Sequence, residues 1–261
     1  MFDYHIHSRV SYDSKSIPED IVKQALNAGL KEICFTDHLD YGKSPAGESL
    51  VFETDVYNAN YDHLSAPGLK IRRGFEFGMT PFNQTTFKSD LKRRDFDFVI
   101  GSVHFVNEDD VFFAPYWEGK TQKEAERQYF EEILKCVRVH DDFDVLGHVT
   151  YVSKVKINPD KRSILYREHD DVFDEIFRIL IDKGKGIEVN TSGVDRCGDY
   201  LPGVEFLCRF KELGGQIVTV GSDAHQAHRV GQYCHDACKM VSEIFGYVCS
   251  FENRKPNFHK L

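Results

Sequence analysis

The sequence lacks features that would place the chain in a membrane, in the secretory pathway or on a nucleic acid. Its 261 residues contain no run of about 18 apolar residues, so we expect no membrane-spanning helix. The first residues show no basic region followed by an apolar one, so we expect no secretory signal. The formal net charge of −9 argues against a broad nucleic-acid or membrane surface. A small anionic substrate stays compatible with this charge, because a metal cluster can supply a local positive field.

The cysteines do not form a recognisable disulfide framework. There are seven of them, scattered and without a C-x-x-C pair, which favours reduced thiols and a cytoplasmic location. Cys234 and Cys238 flank His235 at a spacing that a soft metal site could use. We favour packing on one helix face, because cysteine is among the most buried residue types.

The chain alternates short apolar runs with amphipathic segments and shows no internal repeat or Gly/Ser-rich linker. This alternation predicts parallel strands joined by crossover helices, in a single domain over 1–261. Seven such units are enough to close a (β/α)7 barrel, and an open doubly wound sheet is the alternative. The predicted strands are 2–7, 32–36, 69–76, 96–101, 143–147, 186–190 and 216–221.

Two capping-box patterns predict helix starts. Ser16 and Glu19 form one, with Pro18 in the first turn, and Thr121 and Glu124 form the other, opening a helix that runs to about residue 140. Hydrophobic periodicity predicts the remaining helices. They cover about 53–66, 84–94, 172–183, 203–213 and 227–245.

Six of the seven predicted strands carry or run into a His, Asp or Glu at their carboxyl ends. In α/β barrels that end is where active sites are built, from residues of several strands. His5 and His7 point the same way, because side chains in a strand alternate with a period of two. The residues at the strand ends are His5, His7, Asp37, His38, Glu76, His104, His148, Asp223 and His225.

So many imidazole and carboxylate groups in one barrel mouth predict bound metal ions. A single histidine is more often structural, but burying this whole set without compensating cations would be costly. The ligand types suit Zn, Mn, Fe or Co and do not suit Ca. We expect more than one ion, with Glu76 able to bridge two. Two ions about 4 Å apart can hold a hydroxide and clamp an in-line displacement at phosphorus.

Six motifs occur in order along most of the chain, from His5 to about Gly231. As a set they resemble the polymerase and histidinol phosphatase (PHP) superfamily, and the chain length and the run 101–106 resemble its free-standing histidinol-phosphate phosphatase branch. The resemblance implies a distorted, TIM-like (β/α)7 barrel with three divalent metal ions. The motifs are His5-Ile6-His7 with Asp13 downstream, Thr36-Asp37-His38, Glu76, Gly101-Ser102-Val103-His104-Phe105-Val106, Gly147-His148 and Ser222-Asp223-Ala224-His225.

The resemblance also implies which residues hold each ion. Asp13 stands where some members have His, and Ser14 follows it where Gly is frequent. Glu76 would be shared between two ions. The implied ligands are His5, His7, Glu76 and Asp223 for the first ion, Glu76, His104 and His148 for the second, and Asp13, His38 and His225 for the third.

The reaction that the resemblance implies is hydrolysis of L-histidinol phosphate to L-histidinol and phosphate, a late step of histidine biosynthesis. A hydroxide between the first two ions would attack phosphorus, because metal ions lower the pKa of bound water toward neutrality. The leaving alkoxide needs a proton. Asp223 and His225 are candidates to supply it through metal-bound water, and Asp37 is a weaker one.

Arginine side chains are the natural bidentate partners of the phosphate group. Arg162 follows strand five and Arg196 follows strand six, in loops that open at the same barrel end, so we predict that both bind phosphate. His228 is the histidine outside the motifs that we place nearest to substrate. Arg9 and Arg229 are lesser candidates.

Three other functions are compatible with parts of this pattern. A PHP phosphoesterase could act on nucleotides or nucleic-acid ends, although the acidic charge and the lack of a basic stripe weigh against polymers. An amidohydrolase-type barrel also begins with H-x-H but usually needs a metal-bridging lysine late in the barrel, and Glu76 and Glu188 occupy the comparable strand ends here. A non-catalytic metal-binding protein would hold metal and show no turnover.

Overall fold

The computed structural model describes residues 1–41, 50–92, 95–155 and 162–261. In this part of the chain, parallel strands in sequence order form one seven-stranded sheet. The strands are β1 (Phe2–Ile6), β2 (Glu32–Asp40), β3 (Lys70–Gly78), β4 (Phe98–Ser102), β5 (Val145–Leu146), β6 (Gly186–Asn190) and β7 (Val218–Gly221).

The sheet curls into a nearly closed barrel, because its first and last strands meet. The Asp223 N–H donates to the His5 carbonyl at 2.8 Å and the His7 N–H donates to the Ala224 carbonyl at 3.0 Å. Ile6 and Ala224 form a parallel bridge at this seam. These contacts confirm the predicted barrel and exclude the open doubly wound sheet that was its alternative.

Strand β2 is four residues longer than the predicted segment 32–36. It pairs with β3 along its whole length, from Glu32 opposite Lys70 to Asp40 opposite Gly78. The apolar run stops at Thr36, but the ladder continues through Asp40, because His38 and Asp40 face the barrel mouth and every residue of this segment is buried. This extension places His38 directly beside Glu76 in register.

Seven helices of eight or more residues surround the barrel in the described part of the chain. None of them is long and apolar enough to cross a membrane. Cys234 and Cys238 are buried on the last helix, which confirms the packing interpretation, and every cysteine is a free thiol. The helices are α1 (Pro18–Asn27), α2 (Thr54–Tyr61), α3 (Gln84–Leu91), α4 (Gln122–Val139), α5 (Asp170–Asp182), α6 (Val204–Glu212) and α7 (Cys234–Phe245).

One of the two predicted capping boxes forms and the other does not. The Glu124 N–H donates to Thr121 Oγ1 at 3.3 Å and the Thr121 N–H donates to Glu124 Oε2 at 2.8 Å, at the start of α4. At α1 the capping position is Ile17, without a side-chain bond. The Ser16 hydroxyl instead accepts from the Ala227 N–H at 2.9 Å, because the chain after β7 packs against this loop. The capping-box prediction at Ser16 was therefore wrong.

Shorter elements complete the described fold, and two of them are antiparallel hairpins that the sequence did not predict. One hairpin pairs Phe105–Val106 with Asp109–Asp110, and the other pairs Val248–Glu252 with Lys255–His259. The predicted helix 227–245 begins only at Cys234, because Tyr233 takes a left-handed conformation with φ 60°. The short helical turns are Ala114–Trp117, Tyr151–Lys154, Tyr166–Glu168, Thr191–Gly193, Val194–Cys197 and Ala227–Arg229.

Candidate metal centre

A cavity of about 480 Å³ opens at the carboxyl ends of the strands. Buried at its floor, four side chains converge on one point. Glu76 Oε2 lies 3.3 Å from His5 Nε2 and 3.5 Å from His7 Nε2. Asp223 Oδ1 lies 3.7 Å and 3.4 Å from the same two nitrogens. The structure thus brings together the four residues expected at the first ion.

The second oxygen of Glu76 faces a second group. Glu76 Oε1 lies 3.2 Å from His104 Nε2 and 2.7 Å from His148 Nε2. The two oxygens of one carboxylate therefore point at two separate sets of imidazoles. A carboxylate placed in this way could bridge two ions, which is the role that the resemblance implies for Glu76.

A third group lies nearer the cavity opening. Asp13 Oδ2 is 3.5 Å from His38 Nε2 and 3.1 Å from His225 Nε2, and the two imidazole nitrogens are 3.4 Å apart. His38 Nδ1 also lies 3.1 Å from Glu76 Oε2, which joins this group to the first. The residues expected at the third ion are thus adjacent as well.

Hydrogen bonds on the far side of the rings leave the cavity-facing nitrogens as acceptors. His5 Nδ1 lies 2.6 Å from Glu188 Oε1, and His225 Nδ1 lies 3.0 Å from the Asp223 carbonyl. His104 Nδ1 lies 3.3 Å from Asp40 Oδ2. Carbonyl and ionised carboxylate oxygens only accept, so Nδ1 carries the proton and Nε2 keeps its lone pair. A lone pair at Nε2 is what a metal-binding imidazole requires.

Asp37 lies behind the site rather than in the cavity wall. It is fully buried, and its Oδ1 accepts from the Ser8 N–H at 2.7 Å and from the Ser11 hydroxyl at 2.8 Å. Because the Ser11 hydroxyl donates its hydrogen to Asp37, its oxygen accepts a hydrogen bond from His7 Nδ1 at 3.0 Å. Asp37 therefore orients His7 through Ser11, and this position does not favour the predicted role of proton donor.

The charge and hydrogen bonding of the cluster fit divalent cations. Among the described residues, Glu76 Oε2 and the Nε2 atoms of His5 and His7 are buried without any hydrogen-bond partner, although such atoms normally have one. Burial disfavours ionised Glu76, yet His5, His104 and His38 hold its pKa well below the ordinary range. A bound divalent cation would replace the protons on these rings and leave anionic carboxylate with neutral imidazole, a ligand set that suits Zn, Mn, Fe or Co.

Lys154 is a cavity residue that the sequence reasoning missed. Its Nζ lies 2.5 Å from Asp223 Oδ2 and 2.9 Å from Ser192 Oγ. Burial opposes ionisation of Asp223, but Lys154 and then His5 lower the pKa of this carboxyl well below the ordinary range. Lys154 thus holds one oxygen of Asp223 while the other faces His5 and His7.

Asp40 and Glu188 were missed as well, although a signal existed for each. Asp40 follows His38 by two positions in β2, so the period of two puts it on the same face. Glu188 lies in β6, the one predicted strand without an assigned ligand, and it accepts from the His148 N–H at 2.8 Å in addition to contacting His5.

The predicted phosphate-binding residues lie at different distances from the cavity. Arg196 lines it, and its guanidinium pairs with no carboxylate in the described ranges. Arg162 is not among the residues that line the cavity. Its two amino nitrogens bind Glu168 at 2.8 and 3.0 Å. His228 is exposed and outside the lining, whereas its neighbour Arg229 lines the cavity and binds Asp195 at 2.7 Å.

Comparison with known proteins assigns the chain to a family. A family model described as PHP domain matches residues 3–192, well over half of the sequence. The chain therefore belongs to the PHP domain family, which confirms the resemblance carried by the six motifs.

The relatives share nearly their full length with this chain. A probable histidinol-phosphatase of Clostridium acetobutylicum is 32% identical, over 97% of this chain and 98% of the relative. A histidinol-phosphatase of Lactococcus lactis subsp. lactis is 32% identical, over 99% and 97%. The crystal structure of histidinol phosphate phosphatase from Lactococcus lactis subsp. lactis, complexed with Zn, L-histidinol and phosphate, has a TM-score of 0.89 at 30% identity and covers 98% of each chain.

Proposed function

We propose that this protein is a metal-dependent phosphomonoesterase that hydrolyses L-histidinol phosphate to L-histidinol and phosphate. The observation that carries the proposal is Glu76, whose two oxygens face two separate groups of imidazoles at the floor of one cavity. Full-length relatives named histidinol-phosphatase support the substrate.

We assign the metal ligands as the sequence motifs imply. Three divalent ions would supply Lewis acidity and an activated water at neutral pH. Which of Zn, Mn and Fe is bound depends on the availability of each metal in the cell as well as on the ligands. The assigned ligands are His5, His7, Glu76 and Asp223 for the first ion, Glu76, His104 and His148 for the second, and Asp13, His38 and His225 for the third.

In the reaction, a water oxygen forms a bond to phosphorus and the bond between phosphorus and the ester oxygen breaks. The ester oxygen leaves with a proton as the hydroxyl of L-histidinol. The attacking water loses a proton as it bonds to phosphorus, and Asp223 and His225, which line the cavity, are the candidates that would pass a proton to the ester oxygen through a bound water. Arg196 and Lys154 line it too, and their positive charge stabilises the phosphate group as negative charge develops on its oxygens.

The test is a substrate panel on the purified, metal-loaded full chain. It compares L-histidinol phosphate, nucleoside monophosphates, single-stranded DNA and a lactone. We expect kcat/KM for L-histidinol phosphate to exceed that for every other compound by at least a hundredfold. Equal slow rates on all phosphates would indicate a general phosphoesterase without preference for L-histidinol phosphate. Turnover of the lactone alone would show that the protein is not a phosphatase.

We also propose a cytoplasmic location. The seven cysteines, all free thiols in the structure, support it because reduced thiols persist in a reducing compartment. Expression with a carboxyl-terminal fluorescent tag followed by fractionation would test it, and recovery in a secreted or membrane fraction would contradict it.

A further inference from the structure

The cavity above the metal centre carries opposite charges on its two sides. Lys154, Arg196 and Arg229 come from the segments after β5, β6 and β7. Asp110 comes from the hairpin after β4, and Tyr12 comes from the segment after β1. Because the strands follow one another around the barrel, the cationic and the acidic, aromatic residues occupy different arcs of its rim. A ligand with an anionic end and a cationic end would match this arrangement.

Asp110 is held in place by the backbone of its own hairpin. Its Oδ1 accepts from the Phe112 N–H at 2.8 Å. It makes no ion pair with any of the residues that the structure describes. The neighbouring Val111 N–H donates to the carbonyl of His104 at 3.0 Å, which fixes the hairpin against a residue of the metal centre. A carboxylate so placed can pair with a cationic group of a ligand that enters the cavity.

Three large aromatic side chains beside Asp110 are exposed around the same opening. Tyr12 is 47% exposed, Phe112 is 40% exposed and Phe113 is 44% exposed, although such residues usually contribute to a core. Phe112 and Phe113 contact each other edge to face at 5.5 Å between ring centroids. Tyr12 packs on His38 at 5.5 Å, so the aromatic wall reaches down to the metal centre. An aromatic ring of a ligand would be covered by these faces.

We infer that Asp110 binds the ammonium group of the substrate while Tyr12, Phe112 and Phe113 enclose its imidazole ring. The inference rests on the proposed function. In L-histidinol phosphate the amine sits on the second carbon from the ester oxygen and the imidazole one carbon further. A phosphate at the metal centre therefore brings the amine to the lower part of the wall and the ring to its rim. Asp110 is thus a specificity-determining residue for this reaction.

The experiment compares Asp110→Asn with the wild type on three substrates. They are L-histidinol phosphate, its analogue without the amine, 3-(imidazol-4-yl)propyl phosphate, and L-phenylalaninol phosphate, which keeps the amine and replaces the imidazole. The amide keeps the acceptor for the Phe112 N–H but loses the charge. We expect kcat/KM to fall at least tenfold for the two amine-containing substrates and to change less than twofold for the analogue without the amine.

Asp109→Asn is the matched control, because Asp109 is the exposed neighbour on the same hairpin strand and does not line the cavity. It should leave all three substrates within twofold of wild type. Equal losses on all three substrates with Asp110→Asn, or no loss on any, would overturn the inference. A loss confined to the two imidazole-containing substrates would overturn it as well, by assigning Asp110 to the ring. If the wild type itself shows no preference for L-histidinol phosphate over p-nitrophenyl phosphate, the proposed function fails first.

Discussion

Lys154 shows how a single charge can set the geometry of a ligand. Its ammonium group binds Asp223 Oδ2 and leaves only Oδ1 to face the nitrogens of His5 and His7. The side chain is 13% exposed, so water competes weakly for the contact. Removing the ammonium group would leave a buried carboxylate oxygen with only Ser192 beside it.

We predict that Lys154→Met lowers kcat/KM for L-histidinol phosphate at least tenfold and reduces the metal content of the isolated protein. Steady-state kinetics and elemental analysis measure the two effects. The control is Lys183→Met. Like Lys154, Lys183 donates hydrogen bonds to protein oxygens, in this case the carbonyl oxygens of Val137 and His140, but it lies away from the cavity. The control should keep its metal and its kcat/KM. Wild-type kinetics with full metal in Lys154→Met would rule out the role.

The sequence indicated the residues at the strand ends, together with Asp13 and Arg196, but not Lys154. His5, Glu76 and Asp223 follow directly from strand ends, where the barrel axis dictates the direction of a side chain. Lys154 lies on a short helical turn after β5, and its direction depends on a loop path that no periodicity encodes. His228 and Arg229 are neighbours on the short helical turn 227–229, and their side chains point in different directions. The rotation of this turn, which the sequence does not reveal, therefore decides that Arg229 and not His228 lines the cavity.

Between elements, the clearest charge contact outside the site joins α5 to α6. Arg209 on α6 donates from Nε to Asp174 Oδ1 at 2.8 Å and from NH2 to Oδ2 at 2.7 Å. Arg209 and the hydroxyl of Tyr166 lower the pKa of Asp174 below its ordinary value, against the opposing effect of partial burial. The contact therefore stabilises the fold above the pKa that Asp174 has in the unfolded chain, and this contribution is lost as the pH falls through the lower folded value.

We predict that Asp174→Asn lowers the urea midpoint of unfolding at pH 7, and that the difference from wild type shrinks below about pH 3.9, the ordinary pKa of aspartate. Both proteins are compared after metal removal, so that loss of metal ligands in acid does not contribute. The effect should be modest, since the pair is near the surface. Asp182→Asn, at the exposed end of the same helix, controls for loss of one negative charge. A difference that stays constant from pH 7 to pH 3 would contradict the assignment.

Most of the elements could be predicted from sequence, and the exceptions have physical causes. The Thr121 hydroxyl bonds only to Glu124 among the described residues, so its capping box forms, whereas Ser16 is bound by the segment after β7, more than 200 residues away. The hairpin Val248–Glu252 with Lys255–His259 turns at Asn253 and Arg254, both with positive φ. Arginine is not a typical turn residue at such a conformation, so the turn has no clear sequence signal.

For the molecule as a whole, bound metal should contribute to stability as well as to activity. Ions that bind the folded state and not the unfolded chain stabilise it, by about 2.7 kcal/mol at a concentration one hundred times the dissociation constant. In a chain of this length that corresponds to a Tm increase of at least about 5 °C. The residues concerned contact one another from position 5 to position 225 and so constrain nearly the whole chain.

We predict that removal of the metal by chelator lowers Tm by about 5 °C or more and abolishes hydrolysis of L-histidinol phosphate. Calorimetry, the phosphate-release assay and elemental analysis follow the three quantities together. Adding Zn or Mn back to the stripped protein should restore Tm and turnover. If elemental analysis shows complete removal of the metal while Tm and the hydrolysis rate are unchanged, the clustered side chains do not hold a metal that the enzyme needs.

The seam between β1 and β7 has a consequence for the order of events during translation. His5 and His7 leave the ribosome first among the ligands, but Asp223 and His225, their partners across the seam, are made more than 200 residues later. A nascent chain that ends before β7 lacks Asp223 and His225, so it can complete neither the first nor the third ligand group. The first and the third of the proposed ligand groups are therefore completed only after β7 has been made and joins β1.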